Sequence, residues 1–145
     1  MTLTDQLTDR IPDRHTIDTL MLIDDNTFDQ LICKRVTAKT GLVGNLLQYL
    51  DAQQALDHLV DPDAATPDLI LLDINMPKMD GFEFLAAVHD RFRNGLCPII
   101  VMLDPALDPK GEARARVFPM VQGFLAKPLT PEDLQGFADL LRDLR

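Results

Sequence analysis

Leu69-Ile70-Leu71-Leu72-Asp73-Ile74-Asn75-Met76-Pro77-Lys78-Met79-Asp80-Gly81 is the stretch that decides the fold. Four bulky apolar residues closed by an acid spell a strand covered on both faces, the kind found in a parallel sheet. Pro77 and Gly81 then force the chain to turn. Open α/β sheets carry their chemistry at the carboxyl ends of their strands. Asp73 therefore stands where a reactive carboxylate belongs. The pattern recurs earlier, where Leu20-Met21-Leu22-Ile23 runs into Asp24-Asp25. Two apolar strands delivering acid to one sheet edge exceed what solubility requires.

Outward from these two strands, the chain alternates strand with amphipathic helix. Residues 1–18 read as a polar N-terminal extension, and residues 19–145 as one folded domain. The first strand covers about 19–23. Asn26 or Thr27 can cap a helix in which Phe28, Leu31, Ile32, Arg35 and Val36 recur at helical spacing, ending near Gly41. A strand over 44–49, a short helix over 52–59 and a breaker-rich loop over 61–67 follow. The strand over 69–73 leads to a helix over 81–92 with Phe82, Leu85, Val88 and Phe92 inward. A strand over 98–103 and a thinner helix over 109–118, weakened by Gly111, come next. The fifth strand is short, 123–126. Thr130 as cap, Pro131 at the first position and Glu132-Asp133 in the first turn open the last helix. It carries Leu134, Phe137, Leu140, Leu141 and Leu144. Five strands with five helices predict a doubly wound α/β sandwich on a parallel sheet.

Composition narrows the function. At 145 residues the chain suits a single domain with a full core, and its net charge of −9 disfavours nucleic acid and anionic membrane as partners. No apolar run is long enough to span a bilayer, and residues 1–9 lack a signal-peptide pattern. Cys33 and Cys97 lack metal spacing and read as reduced, packed thiols, so a cytoplasmic location is expected. His15, His58 and His89 are scattered without partner spacing, and Lys34-Arg35 and Arg114–Arg116 read as solvated helix faces.

Asp24-Asp25, Asp73 with its Asn-Met-Pro-Lys-Met-Asp-Gly tail, and Lys127-Pro128 occur in an order that is specific only in combination. In these residues the sequence resembles the receiver domain of two-component response regulators, chemotaxis-receiver-like, over about 19–145. The resemblance implies a flavodoxin-like (βα)5 fold with strand order 2-1-3-4-5. It also implies Asp73 as phosphoacceptor and Mg²⁺ held by Asp25, Asp73 and the backbone carbonyl of Asn75, with Asp24 acting through water. Lys127 would meet a phosphoryl oxygen, and Pro128 would follow a cis bond. The chemistry explains the grouping. Two carboxylates about 5 Å apart repel by roughly 3 kcal/mol at an effective dielectric near 20, so three need a cation. Magnesium takes hard oxygen ligands and bridges to phosphate, and phosphoryl transfer needs mainly positioning and charge neutralisation.

Strand four departs from that family. Receivers usually end it with a Ser or Thr hydroxyl, but this chain reads Val101-Met102-Leu103-Asp104-Pro105. Ungapped spacing from Asp73 assigns the position to Leu103, whereas the first polar residue after the apolar run is Asp104, which is preferred because the site selects an inward polar side chain at the strand end. Phe124 fits the aromatic that moves with the hydroxyl in switching receivers.

The chain ends with the fifth helix, so the expectation is a stand-alone response regulator. It would be a monomer or weak dimer and no enzyme beyond its own phosphorylation and dephosphorylation. Its partners would be a histidine kinase or histidine phosphotransfer protein and a downstream protein. Two alternatives stand beside it. One is a degenerate receiver that binds proteins without phosphorylation. The other is a Mg²⁺-dependent phosphohydrolase on the same scaffold, which Asn75 disfavours because an amide cannot act as general acid.

Overall fold

Alternation along the strands sorts the core into two layers, because successive strand side chains point to opposite faces. In the computed structural model, which describes residues 17–92, 97–106 and 108–144, the elements alternate strictly. They are β1 (Ile17–Ile23), α1 (Thr27–Thr40), β2 (Val43–Tyr49), α2 (Ala52–Val60), β3 (Leu69–Asp73), α3 (Gly81–Arg91), β4 (Ile99–Leu103), α4 (Pro109–Ala115), β5 (Val121–Leu125) and α5 (Pro131–Leu144). The five strands form one sheet in the order β2-β1-β3-β4-β5, every neighbouring pair parallel. This is the flavodoxin-like order expected from the sequence.

One face buries Met21, Ile23, Ile70, Leu72, Ile100 and Met102 against Ala52 and Ala55 of α2 and Phe84, Leu85 and Val88 of α3. The other buries Leu20, Leu22, Leu69, Leu71, Val101 and Leu103 against Cys33 of α1 and Leu134, Ala138 and Leu141 of α5. β3 is buried along its whole length. Each such aliphatic side chain contributes about 1.5–3 kcal/mol of burial. Among the described residues no helix is long and apolar enough to cross a membrane, and Cys33 and Cys97 are free.

Helix starts follow the sequence signals. Asn26 caps α1, its side-chain oxygen accepting from Phe28 N and Asp29 N, and Gly41 closes that helix in the left-handed region at φ 66°. Thr130 and Asp133 exchange side-chain-to-backbone hydrogen bonds at the start of α5. Asp80 and Glu83 do the same at α3. Gly81 has a further reason to be glycine: a Cβ there would sit 2.8 Å from the Asp73 carbonyl oxygen and 2.9 Å from Ile74 Cα. The β3–α3 loop can lie tight against the strand end only without that atom.

Several boundaries differ from the sequence reading. β1 begins at Ile17, fully buried and paired with Val43, so Ile17 and Asp18 belong to the sheet rather than to the extension. Exposed Asp18 broke the apolar run and hid the alternation. Residues 1–16, including His15, lie outside the described residues. α4 stops at Ala115 and β5 starts at Val121.

α1 is rotated from its predicted face. It buries Gln30, Cys33 and Thr37, while Phe28 and Leu31 are exposed. The Gln30 amide explains this: it donates to Asp24 O and Tyr49 O, and its own oxygen accepts from Gln48. A polar residue with every group satisfied is stable inside.

Candidate functional site

Period-two alternation carries the face of Leu20 and Leu22 on to Asp24, and that of Leu69 and Leu71 on to Asp73. Both acids thus emerge on the α1 and α5 side of the sheet's carboxyl rim, where Lys127 arrives from the end of β5. Carboxylate oxygens of Asp24, Asp25 and Asp73 lie within 4.8 Å of one another. Asp24 is fully buried and Asp73 nearly so, while Asp25 is exposed. Lys127 Nζ sits 2.8 Å from Asp24 Oδ2 and 3.3 Å from Asp73 Oδ1. Asp24, Asp25, Asp73 and Lys127, distant in sequence, are brought together as one cluster. The Lys127-Pro128 bond is cis, as expected.

The charges are held against cost. Burial, then the neighbouring Asp24, pushes the Asp73 carboxyl up to about 7, with Lys127 pulling the other way. Burial works against the Lys127 ammonium, yet the close charge of Asp24, then Asp29 and Asp73, raises its pKa. Asp24 Oδ1 accepts from Asn26 N. Asp24 Oδ2 is buried with the Lys127 ammonium 2.8 Å away. Three carboxylates with oxygens this close form a hard-oxygen donor set that fits a divalent cation.

A fourth acid escaped the sequence reading. Asp29 Oδ2 accepts a hydrogen bond from Lys127 Nζ at 3.1 Å. An acid in the first turn of a helix ordinarily reads as a partner of the helix dipole. The available signal was its place in the turn that follows Asp24-Asp25, which must lie against the same rim.

The remaining candidates distribute as follows. Leu103 is in register with Asp73 on the neighbouring strand, buried, and lines a small cavity with Asp24, Asp29 and Lys127. The Asp104 carboxylate is spent on its own loop, accepting from Ala106 N and Asp108 N. Asn75 is exposed in the loop after β3. Phe124 is partly buried with the Arg116 guanidinium 4.7 Å over its ring, and Arg114 lies 4.0 Å over Phe82. Both arginines are exposed, as the sequence suggested, with their guanidinium groups lying over aromatic rings. His58 accepts or donates between Tyr49 OH and Ala65 O at 2.7 Å each, and His89 packs edge-on against Phe118.

A doubly wound parallel sheet with three acids and a lysine at its carboxyl rim is an α/β domain built to hold positive charge against carboxylates. The chain belongs to the response regulator receiver domain family, which matches residues 20–138. It is 27% identical over 127 residues to "Probable methanogenesis regulatory protein FilR2" of Methanothrix harundinacea, covering 86% of this chain and 81% of that protein. It is 35% identical over 77 residues to "Sensor histidine kinase CheAY" of Helicobacter pylori, covering 52% of this chain and 9% of that protein. The chain thus spans most of one relative and only a small part of a longer one. Among solved structures, a two component response regulator from Cytophaga hutchinsonii superposes with a TM-score of 0.75 at 27% identity, covering 88% of this chain and 98% of the other.

Proposed function

We propose that this receiver accepts a phosphoryl group on Asp73 from a partner's phosphohistidine and signals through protein–protein contact. The observation that carries the reading is a nearly buried carboxylate with two further acids within 4.8 Å and an ammonium 3.3 Å away. In the reaction an Asp73 carboxylate oxygen attacks phosphorus and the bond from phosphorus to the histidine nitrogen breaks. The imidazole leaves with that electron pair, and Asp73 becomes an acyl phosphate. Lys127 donates to a phosphoryl oxygen and offsets the charge that arrives.

Asp25, Asp73 and the Asn75 carbonyl would hold Mg²⁺, with Asp24 engaging it through water. The cation would supply the positive charge that lets one anion approach another. The three carboxylates gathered within 4.8 Å support that assignment. The partners are a histidine kinase or phosphotransfer protein on the donor side and a further protein downstream. Similarity to a sensor histidine kinase is in keeping with the donor side.

At strand four, Leu103 occupies the place beside Asp73 and offers no hydroxyl to the phosphoryl group, so Phe124 has no such group to follow. Readout then depends on the charge that reaches Lys127 rather than on a hydroxyl that moves.

Incubation with acetyl phosphate and Mg²⁺ followed by intact-mass measurement tests the reading. One added phosphoryl group is expected on the wild type, and none with chelator or in Asp73→Asn. Equal labelling of Asp73→Asn overturns it.

A further inference from the structure

Where the β1–β2 pairing ends, one uncharged side chain takes over from it. The last paired residues are Ile23 and Tyr49, and Asp24 N donates to Tyr49 O at 3.0 Å just past them. Gln30, buried on α1, reaches into that rim. Its Nε2 donates to Asp24 O and to Tyr49 O at 2.9 Å each. Both partners are carbonyl oxygens, which only accept, so the amide nitrogen must face them. Gln48 Nε2 in turn donates to Gln30 Oε1 and Gln30 O at 2.8 Å each, and so clamps the amide from its other end.

The Asp24 carbonyl and the Asp25 N–H belong to one planar peptide unit. A hydrogen bond to that carbonyl therefore sets the plane from which Asp25 departs. Asp25 is exposed, so no surrounding core aims it. Its carboxylate nevertheless lies within 4.8 Å of those of Asp24 and Asp73. Like charges this close repel, and a peptide free to rotate would turn the exposed one away.

We propose that Gln30 is a positioning residue: its amide fixes the Asp24–Asp25 peptide and so keeps the Asp25 carboxylate beside those of Asp24 and Asp73. The inference rests on the cation-assisted reading above and extends it to a residue outside the cation's proposed ligands. Gln30 carries no charge, so removing its amide leaves the net charge of the site unchanged, and a loss of cation affinity reports geometry. A role confined to joining α1 to the sheet would lower stability and leave the affinity of the folded protein intact.

The test measures Mn²⁺ binding to the full chain by water-proton relaxation, with Thr37→Ala as control. Thr37 is also buried on α1, about two turns further along the helix, and donates to Lys34 O. Groups that orient a metal's ligands are worth about 10–100-fold in affinity. Gln30→Met is expected to weaken Mn²⁺ binding about tenfold and Thr37→Ala less than about twofold, both read on protein shown to be folded by thermal melting. If Gln30→Met does not fold, Gln48→Met at an exposed position removes the clamp alone, with a loss of about threefold expected. Unchanged affinity in the variant that decides, or an equal loss in Gln30→Met and Thr37→Ala, overturns the role of Gln30 and leaves the phosphoryl reading intact. Failure of the wild type to bind Mn²⁺ overturns both.

Discussion

Lys127→Met removes the one ammonium that three carboxylates share, and its cost can be worked from the site. Lys127 Nζ lies 2.8, 3.1 and 3.3 Å from oxygens of Asp24, Asp29 and Asp73. At an effective dielectric near 20, each contact at about 3 Å is a gross attraction of roughly 5 kcal/mol. Burying the ammonium cancels much of that sum, and a methionine side chain regains packing. What remains is the penalty of leaving buried acids unpaired, about 3–5 kcal/mol when one partner of a buried pair is deleted. Asp73 relieves part of it by taking a proton, since its carboxyl is pushed up to about 7 by burial and Asp24. Above neutral pH and in chelator, the variant should therefore lose about 3 kcal/mol in urea unfolding. Excess Mg²⁺ should return most of that loss, and should stabilise the variant more than the wild type because no ammonium competes with it. A ligand at about 100 times its Kd contributes about 2.7 kcal/mol, so the recovery is within reach of the assay. A variant as stable as wild type in chelator, or one indifferent to Mg²⁺, refutes the reasoning.

Three further outcomes follow from particular atoms. Gly81→Ala places a methyl 2.8 Å from the Asp73 carbonyl oxygen. It should cost about 1–3 kcal/mol in urea unfolding and slow labelling by acetyl phosphate, and a change below about 0.5 kcal/mol contradicts it. Leu103→Thr puts a hydroxyl beside Asp73 at the expense of about 2 kcal/mol of burial; the phosphoryl group should then be lost more slowly, and an unchanged decay by mass measurement tells against Leu103 as the strand-four position. In metal-free protein, an Asp73 carboxyl raised to about 7 stays protonated when folded while the unfolded chain ionises near its ordinary value of 3.8. Its contribution to stability therefore falls as pH rises through that window, with the full penalty above it. Cation affinity runs the opposite way, and Mg²⁺ titrations should show tighter binding at about pH 8 than at about pH 6.

The sheet was legible because β3 and β4 are unbroken apolar runs, and buried parallel strands carry no polar face to confuse them. Asp24, Asp25, Asp73 and Lys127 were legible as a group because Asp24-Asp25 follow β1, Asp73 closes β3 and Lys127 stands just beyond β5. The face of α1 was not, since Gln30 is buried by hydrogen bonds to Asp24 O and Tyr49 O that no periodicity reveals. Asp29 was hidden by its ordinary place in a first helical turn. At the end of β4, polarity singled out Asp104 and spacing singled out Leu103. In the sheet Leu103 is the residue in register with Asp73. Asp104, one residue on, turns back to bind the loop amides of Ala106 and Asp108.

The most direct measurement locates the phosphoryl group after labelling with acetyl phosphate and Mg²⁺. Borohydride reduction converts an aspartyl phosphate to homoserine, and peptide mapping then reports its position. Conversion at residue 73, abolished by chelator, is the result predicted. Conversion at Asp24, Asp25 or Asp29 instead, or none at any aspartate while the protein is labelled, would contradict Asp73 as the acceptor.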